Sequence, residues 1–310
     1  MKNSWSKNDL IHFDAKHDVL VALDSDGCVF DSMTIKQQIF HTGIIRFWQL
    51  ENEEKEFRRI AEWTALYSQW RGLNRFELLL KIFQNMKTAV PYFPALTRIP
   101  NTAALEQFIN SGRPLSTDEL EKFMIVNAGD DRAITAPAGC GDNEDLRRIL
   151  NWSRAVNIEI AGVKEMPVFA EVETSLQKIR RDCDVIVVSQ TAEEALVHEW
   201  RNAGLEKYID VIAGAELGSK KSTLQTIMCG RYAPAHMLMV GDAPGDLAAA
   251  RSAGVNFFPI IPGDESASWI ELRNTALKRI TAGNFAGEYQ TELIDRFHAA
   301  LPFTPPWKKN

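Results

Sequence analysis

Two kinds of hydrophobic spacing divide the chain. Between about residues 33 and 160, apolar residues recur every three or four positions, the period of helices that bury one face. Ile35, Ile39, Ile44, Phe47 and Trp48 mark one helix, and Phe57, Ile60, Ala61, Leu66 and Tyr67 mark a second. Phe76, Leu80 and Phe83 mark a third. Ser116-Thr117-Asp118-Glu119, ahead of Leu120 and Phe123, has the capping-box form, in which the Ser hydroxyl and the Glu carboxylate satisfy amides at a helix start. Asn143-Glu144-Asp145 opens another helix through Leu146, Ile149 and Leu150. The polar stretch Asn127 to Asp142, with three glycines and a proline, reads as a loop.

From residue 166 the pattern changes to short apolar runs alternating with helices of about three turns. Helices are predicted over 172–181, 192–203, 221–229 and 246–253, leading to strands at 184–188, 211–213, 237–240 and 255–260. Strands alternating with helices imply a parallel, doubly wound sheet. The apolar run Val19 to Leu23 must join this sheet, because a lone strand ahead of an all-helical block has no other partner. The expected fold is therefore α/β, a doubly wound parallel sheet with an inserted all-helical domain. Residues 1–32 and 164–265 form the α/β core, 33–163 the helical insertion, and 266–310 a helical C-terminal extension.

Composition narrows the functional classes. The 310 residues are 45% apolar and 25% charged, which fits a folded protein with a sizeable core and an appended domain. A net charge of −6 without any Lys/Arg block argues against a nucleic-acid surface, whereas a small anionic substrate needs only local positive charge. Cys28, Cys140, Cys183 and Cys229 are far apart, so buried reduced thiols are expected instead of a zinc knuckle or disulfide framework. No apolar run approaches the roughly 18 residues of a membrane helix. The N-terminus leads into polar residues, which makes a cytoplasmic location the default expectation. Oligomeric state is not legible.

The chemistry lies at the predicted strand ends, where ligands of open α/β sheets bind. The first strand runs into Asp24-Ser25-Asp26-Gly27, a spacing in which one carboxylate attacks and the other moves protons. The alternative is a plain turn, since Asp and Gly are common turn residues. The second strand ends in Ser189-Gln190-Thr191, a hydroxyl and a series of N–H groups at a helix start, suited to phosphate or to helix capping by Ser189 or Thr191. Gly218-Ser219-Lys220-Lys221 places two cations at a helix N-terminus, where the helix dipole disfavours them unless an anion compensates. The fourth strand ends in Asp242 and Asp246, a hard-oxygen pair of the kind that holds Mg²⁺, with helix capping as the other reading of Asp246.

Paired acids, a hydroxyl, a lysine and paired acids, in that order, resemble the haloacid dehalogenase-like hydrolase superfamily. The similarity covers about residues 16–32 and 164–262, and the helical insertion looks like an enlarged C1-type cap. The resemblance implies Asp24 as nucleophile, Asp26 as general acid/base, and Ser189, Gln190 and Lys220 as phosphate ligands. It further implies Mg²⁺ held by Asp24, Asp26 through its backbone carbonyl, and Asp242, with Asp246 orienting that site. Lys221 stays open as the runner-up lysine. Cys28 stands where Thr is usual and Ser25 where an apolar residue is common.

The expected activity is a Mg²⁺-dependent phosphatase acting on a small phosphorylated metabolite through an aspartyl-phosphate. Halide displacement dispenses with the second acid and phosphonate cleavage replaces it, so Asp26 argues against both. A sugar phosphomutase would share every core residue, and a non-catalytic binding protein would not need them all. Trp70 to Arg75, between two predicted helices, resembles the loop that in C1-capped relatives reaches over the active site. Arg71 and Arg75 are thus candidate specificity residues, the alternative being a solvated turn paired with acids such as Glu77.

Overall fold

The computed structural model of the chain describes residues 4–128 and 142–308, so the loop expected at Asn127 to Asp142 lies almost wholly outside the described residues. The chain divides into two units, Met1–Thr34 with Glu165–Pro302, and Ile35–Lys164 with Phe303–Asn310.

The first unit is built on five parallel strands, β1 (Leu20–Leu23), β2 (Asp184–Val188), β3 (Val211–Ala213), β4 (Met237–Gly241) and β5 (Asn256–Pro259). Their order is β3-β2-β1-β4-β5, with Leu23 beside Val187 on one side and Val240 on the other. Every strand residue is buried, as a sheet covered on both faces requires. The connecting helices are Val172–Asp182, Glu193–Asn202, Lys220–Met228 and Pro244–Ala253. The expected doubly wound α/β fold is the observed one. Because the chain winds from β1 out to β3 and returns on the far side of β1, the order reverses between β1 and β4, the usual place for a ligand. Asp24 and Asp242 directly follow those two strands.

Ahead of β1, Trp5 and Leu10 are buried in the same core, and the Arg231 guanidinium donates to the carbonyls of Leu10 and Ile11. At the far end of the sheet, fully buried Asp184 accepts from the amides of Lys16 and His17 and from the Tyr232 hydroxyl. These bonds anchor the N-terminal segment before the first strand begins.

The second unit is helical, with Ser32–Trp48 entering it from the first, followed by Glu54–Leu66, Arg75–Ala89, Ala103–Asn110, Thr117–Ala128 and Asp142–Ala161. Helix Ala103–Asn110, only 8 residues long, is too short to register in the sequence pattern. Trp152 is the packing centre, with Phe40, Trp48 and Phe76 edge-on to its ring. Only half of the capping box forms. Ser116 Oγ accepts from the Glu119 amide at 3.2 Å, but the Glu119 carboxylate turns to Arg113 and Lys122, whose charges outbid a neutral amide.

The C-terminal region does not behave as one extension. Trp269, Leu272, Ile280 and Phe297 are buried in the first unit, whereas residues from Phe303 on belong to the helical unit. There Trp307 packs edge-on against Trp63 and Phe93, at ring-centre distances of 5.2 and 5.7 Å. The thiols also divide: Cys28 and Cys183 are buried as expected, Cys229 is exposed, and Cys140 lies outside the described residues. Among the described residues, no helix is long and apolar enough to cross a membrane.

Candidate active site

The loop after β1 is held from beneath by the core. The Asp24 amide continues the ladder to the Val240 carbonyl at 2.9 Å, and Gly27 then takes φ 73°, a left-handed turn that glycine adopts without steric cost. The amides of Val29 and Phe30 both return to the Ser25 carbonyl. Two buried indoles complete the fixing: Trp200 Nε1 donates to Ser25 Oγ and Trp269 Nε1 to the Cys28 carbonyl, each at 3.0 Å. A serine between the two acids is thereby explained, since its buried hydroxyl has an indole partner instead of the apolar contact a Leu or Val would make. Burial pushes the Cys28 thiol well up, helped by Asp242 and Asp24, so it packs as an apolar group under the loop.

Of the two lysines, Lys220 is the one that turns toward the acids. Its Nζ lies 2.7 Å from Asp24 Oδ2 and 2.6 Å from Asp246 Oδ1, while Lys221 is exposed. These carboxylates are the anions that a cation at the first turn of helix Lys220–Met228 requires. Burial alone would lower the Lys220 pKa; Asp24 and Asp246 outweigh it and hold the ammonium charged. Burial pushes Asp24 up to about 7 against the pull of Lys220, and the Asp246 and Asp26 charges add to the rise. Asp246 is raised for the same leading reason, with Asp242 adding to it.

Asp246 does two jobs at once. Its Oδ2 accepts from the Ala243 amide at 3.1 Å at the start of helix Pro244–Ala253, leaving Oδ1 for Lys220. The carboxylate folds back so closely over Gly241 that a β-carbon there would collide with it, so that strand end has room for no side chain. Asp24, Asp242 and Asp246 are all buried, and each offers one oxygen within 4.8 Å of the others. Two of the three share the Lys220 ammonium, and all three stand close enough to ligate one ion. This hard-oxygen set fits a divalent cation. Asp246 was expected only to orient such a site, yet its carboxylate stands in the cluster itself.

Asp26 points elsewhere. Its Oδ1 accepts a short hydrogen bond from Ser32 Oγ, and its Oδ2 accepts one from Thr191 Oγ1 at 2.8 Å. Neither partner was legible as such in sequence: Thr191 read only as a possible helix cap, and Ser32 carried no signal. Neither Ser189 nor Thr191 caps helix Glu193–Asn202, whose N-cap is Ala192; the Glu193 amide is taken instead by Glu216 Oε2 at 3.0 Å. Buried Ser189 accepts the Thr191 amide at 3.2 Å, and exposed Gln190 reaches the Gly218 carbonyl at 3.3 Å.

Arg71 and Arg75 each donate to residues of the helical unit. Buried Arg71 donates to the Leu66 carbonyl at 2.9 Å. Arg75 donates to Asn157 Oδ1 at 2.5 Å, lies within 3.5 Å of the Ser153 carbonyl and hydroxyl, and stacks over Phe40. Its acceptors are thus neutral oxygens of helix Asp142–Ala161 and not the Glu77 carboxylate.

The sequence model of haloacid dehalogenase-like hydrolases matches residues 101–260, just over half of the chain. The chain belongs to that family. The matched stretch includes Ser189, Lys220, Asp242 and Asp246 and begins after Asp24 and Asp26. No curated protein matches the chain. Among solved structures it is similar to a haloacid dehalogenase-superfamily hydrolase of subfamily IA from Geobacter sulfurreducens, at 16% identity over 79% of this chain and 88% of that one, with a TM-score of 0.36. It is similar also to a candidate hydrolase of the superfamily from Bacillus subtilis bound to magnesium, at 12% identity over 79% and 87%, TM-score 0.42. A third is a candidate β-phosphoglucomutase from Bacteroides vulgatus, at 15% identity over 95% and 96%, TM-score 0.40.

Proposed function

We propose that this haloacid dehalogenase-like hydrolase is a Mg²⁺-dependent phosphatase that hydrolyses a small phosphorylated metabolite through an aspartyl-phosphate. The observation that carries the reading is the division of labour between its first two acids. Asp24 is drawn into the Lys220 cluster, whereas Asp26, two residues on, accepts from two hydroxyl groups. A nucleophile needs its lone pair near the cation that gathers the phosphate, and an acid/base needs hydrogen bonds that hold its carboxyl group in place.

In the first step an Asp24 oxygen forms a bond to phosphorus as the bond to the leaving oxygen breaks, and Asp26 gives its proton to that oxygen. In the second, water attacks phosphorus, Asp26 takes the water proton, and the bond to Asp24 breaks to release phosphate. Lys220 offsets charge on the phosphoryl oxygens, and the Ser189 hydroxyl and neighbouring amides near Gln190 orient them. Asp24, Asp242, Asp246 and the Asp26 backbone carbonyl would hold Mg²⁺. When bound, it supplies electrostatic neutralisation between the buried carboxylates and a dianionic phosphate.

The reading is tested by incubating purified protein and Mg²⁺ with a panel of phosphorylated metabolites and measuring inorganic phosphate, with Asp24→Asn as control. Release by the wild type and none by the folded Asn variant is expected. Conversion of a sugar phosphate to its isomer without net phosphate release would make it a phosphomutase, and no turnover of any ester would leave a binding role.

A further inference from the structure

We infer that Thr191 is a positioning residue for the reaction, joining the phosphate-binding end of the site to the proton-transferring end. The inference rests on the phosphatase reading above. Thr191 is itself fixed at both backbone groups: its amide donates to Ser189 Oγ at 3.2 Å, and its carbonyl accepts from the Ala215 amide at 3.1 Å. From that rigid position Oγ1 donates to Asp26 Oδ2 at 2.8 Å.

Two consequences follow from the donor and acceptor directions. Because Ser189 Oγ receives the Thr191 amide, its own hydroxyl hydrogen is left to point at a phosphoryl oxygen. With Ser32 on the other oxygen of Asp26, the Thr191 hydroxyl fixes the plane of the carboxyl group. Each carboxyl oxygen offers two lone pairs, so a hydroxyl bond to it is compatible with a proton on the carboxyl group. As Asp26 gives that proton to the leaving oxygen and becomes a carboxylate, the Thr191 bond becomes charge-assisted and strengthens. An interaction that strengthens along the reaction coordinate speeds the step it accompanies.

Esters whose leaving group departs unaided should therefore be insensitive to Thr191, and esters that need protonation should not. kcat/KM reports only phosphoryl transfer to Asp24, so it isolates this step from hydrolysis of the intermediate. For Thr191→Val, kcat/KM on an alkyl phosphate should fall about tenfold or more, the scale of one hydrogen bond to a charged group. On p-nitrophenyl phosphate it should fall no more than about twofold, and Thr191→Ser, which keeps the hydroxyl, should restore the alkyl rate. Crystal structures of wild type and Thr191→Val give a readout independent of turnover, in which the Asp26 side chain should leave its single wild-type position. Equal losses on both esters, or an unmoved Asp26 in the Val variant, would overturn the inference. An inactive wild type in which Asp26 still moves would refute the phosphatase reading and retain the positioning of Asp26.

Discussion

Lys220 and Asp24 form a buried ion pair, 2.7 Å from Nζ to Oδ2, in which the same ammonium also binds Asp246. One cation thus ties the end of β1 to the helix after β4, across the point where the strand order reverses. Burial opposes ionisation of all three groups, and only their mutual charge keeps the lysine protonated. Breaking one partner of such a pair is far costlier than never having built it.

Lys220→Met should accordingly remove most turnover, by at least about a hundredfold, the scale seen when a preorganised donor to a developing charge is deleted. The metal-free protein should also melt lower, because Asp24 and Asp246 are left buried without a cation. Phosphate release and differential scanning calorimetry check the two effects. A variant with wild-type kcat would place the phosphate lysine elsewhere.

Metal binding should be visible without any substrate. Mg²⁺ that binds the folded Asp24, Asp242 and Asp246 cluster raises Tm by mass action, and excess EDTA should reverse the shift and stop turnover. Asp242→Asn should shrink the shift. A melting curve unmoved by millimolar Mg²⁺ would contradict the metal assignment, as would full activity in EDTA.

His41 sets a pH dependence of stability in the helical unit. Burial, with Arg58 adding, lowers its pKa to about 3, and the ring lies edge-on to Phe57. The unfolded chain takes up a proton near the ordinary value of about 6.5, which the folded protein refuses until about 3. The contribution of His41 is complete above the upper value and is lost as pH falls through this window, a loss of a few kcal/mol by linkage. Urea unfolding at several pH values should show the wild type weakening more steeply between those limits than His41→Phe. Parallel curves for the two proteins would mean that His41 protonates freely when folded.

Arg75 bridges helices Arg75–Ala89 and Asp142–Ala161 through Ser153 and Asn157. Arg75→Ala should lower Tm and raise KM for large and small phosphate esters alike. A selective rise for the larger ester would instead give Arg75 the specificity role that its position in the chain suggests.

Much of this protein was written in local pattern. Short continuous apolar runs and the three-to-four-residue period separated the sheet from the helical insertion, because burial of both faces of a strand and of one face of a helix imposes those patterns wherever the chain lies. The carboxylates after β1 and β4 were legible for the same reason, since an apolar run that ends abruptly in acids marks the mouth of a buried strand. Partnerships were not legible. Which lysine turns inward depends on helix phase at a single residue, and Lys220 and Lys221 differ by about 100° around the axis. That Thr191 and Ser32 hold Asp26, that Trp200 and Trp269 bear the loop between them, and that Trp307 packs in a different unit from Trp269 depend on contacts between residues distant in sequence. Local spacing carries the period of burial, and only the closed tertiary structure decides which buried polar atom meets which.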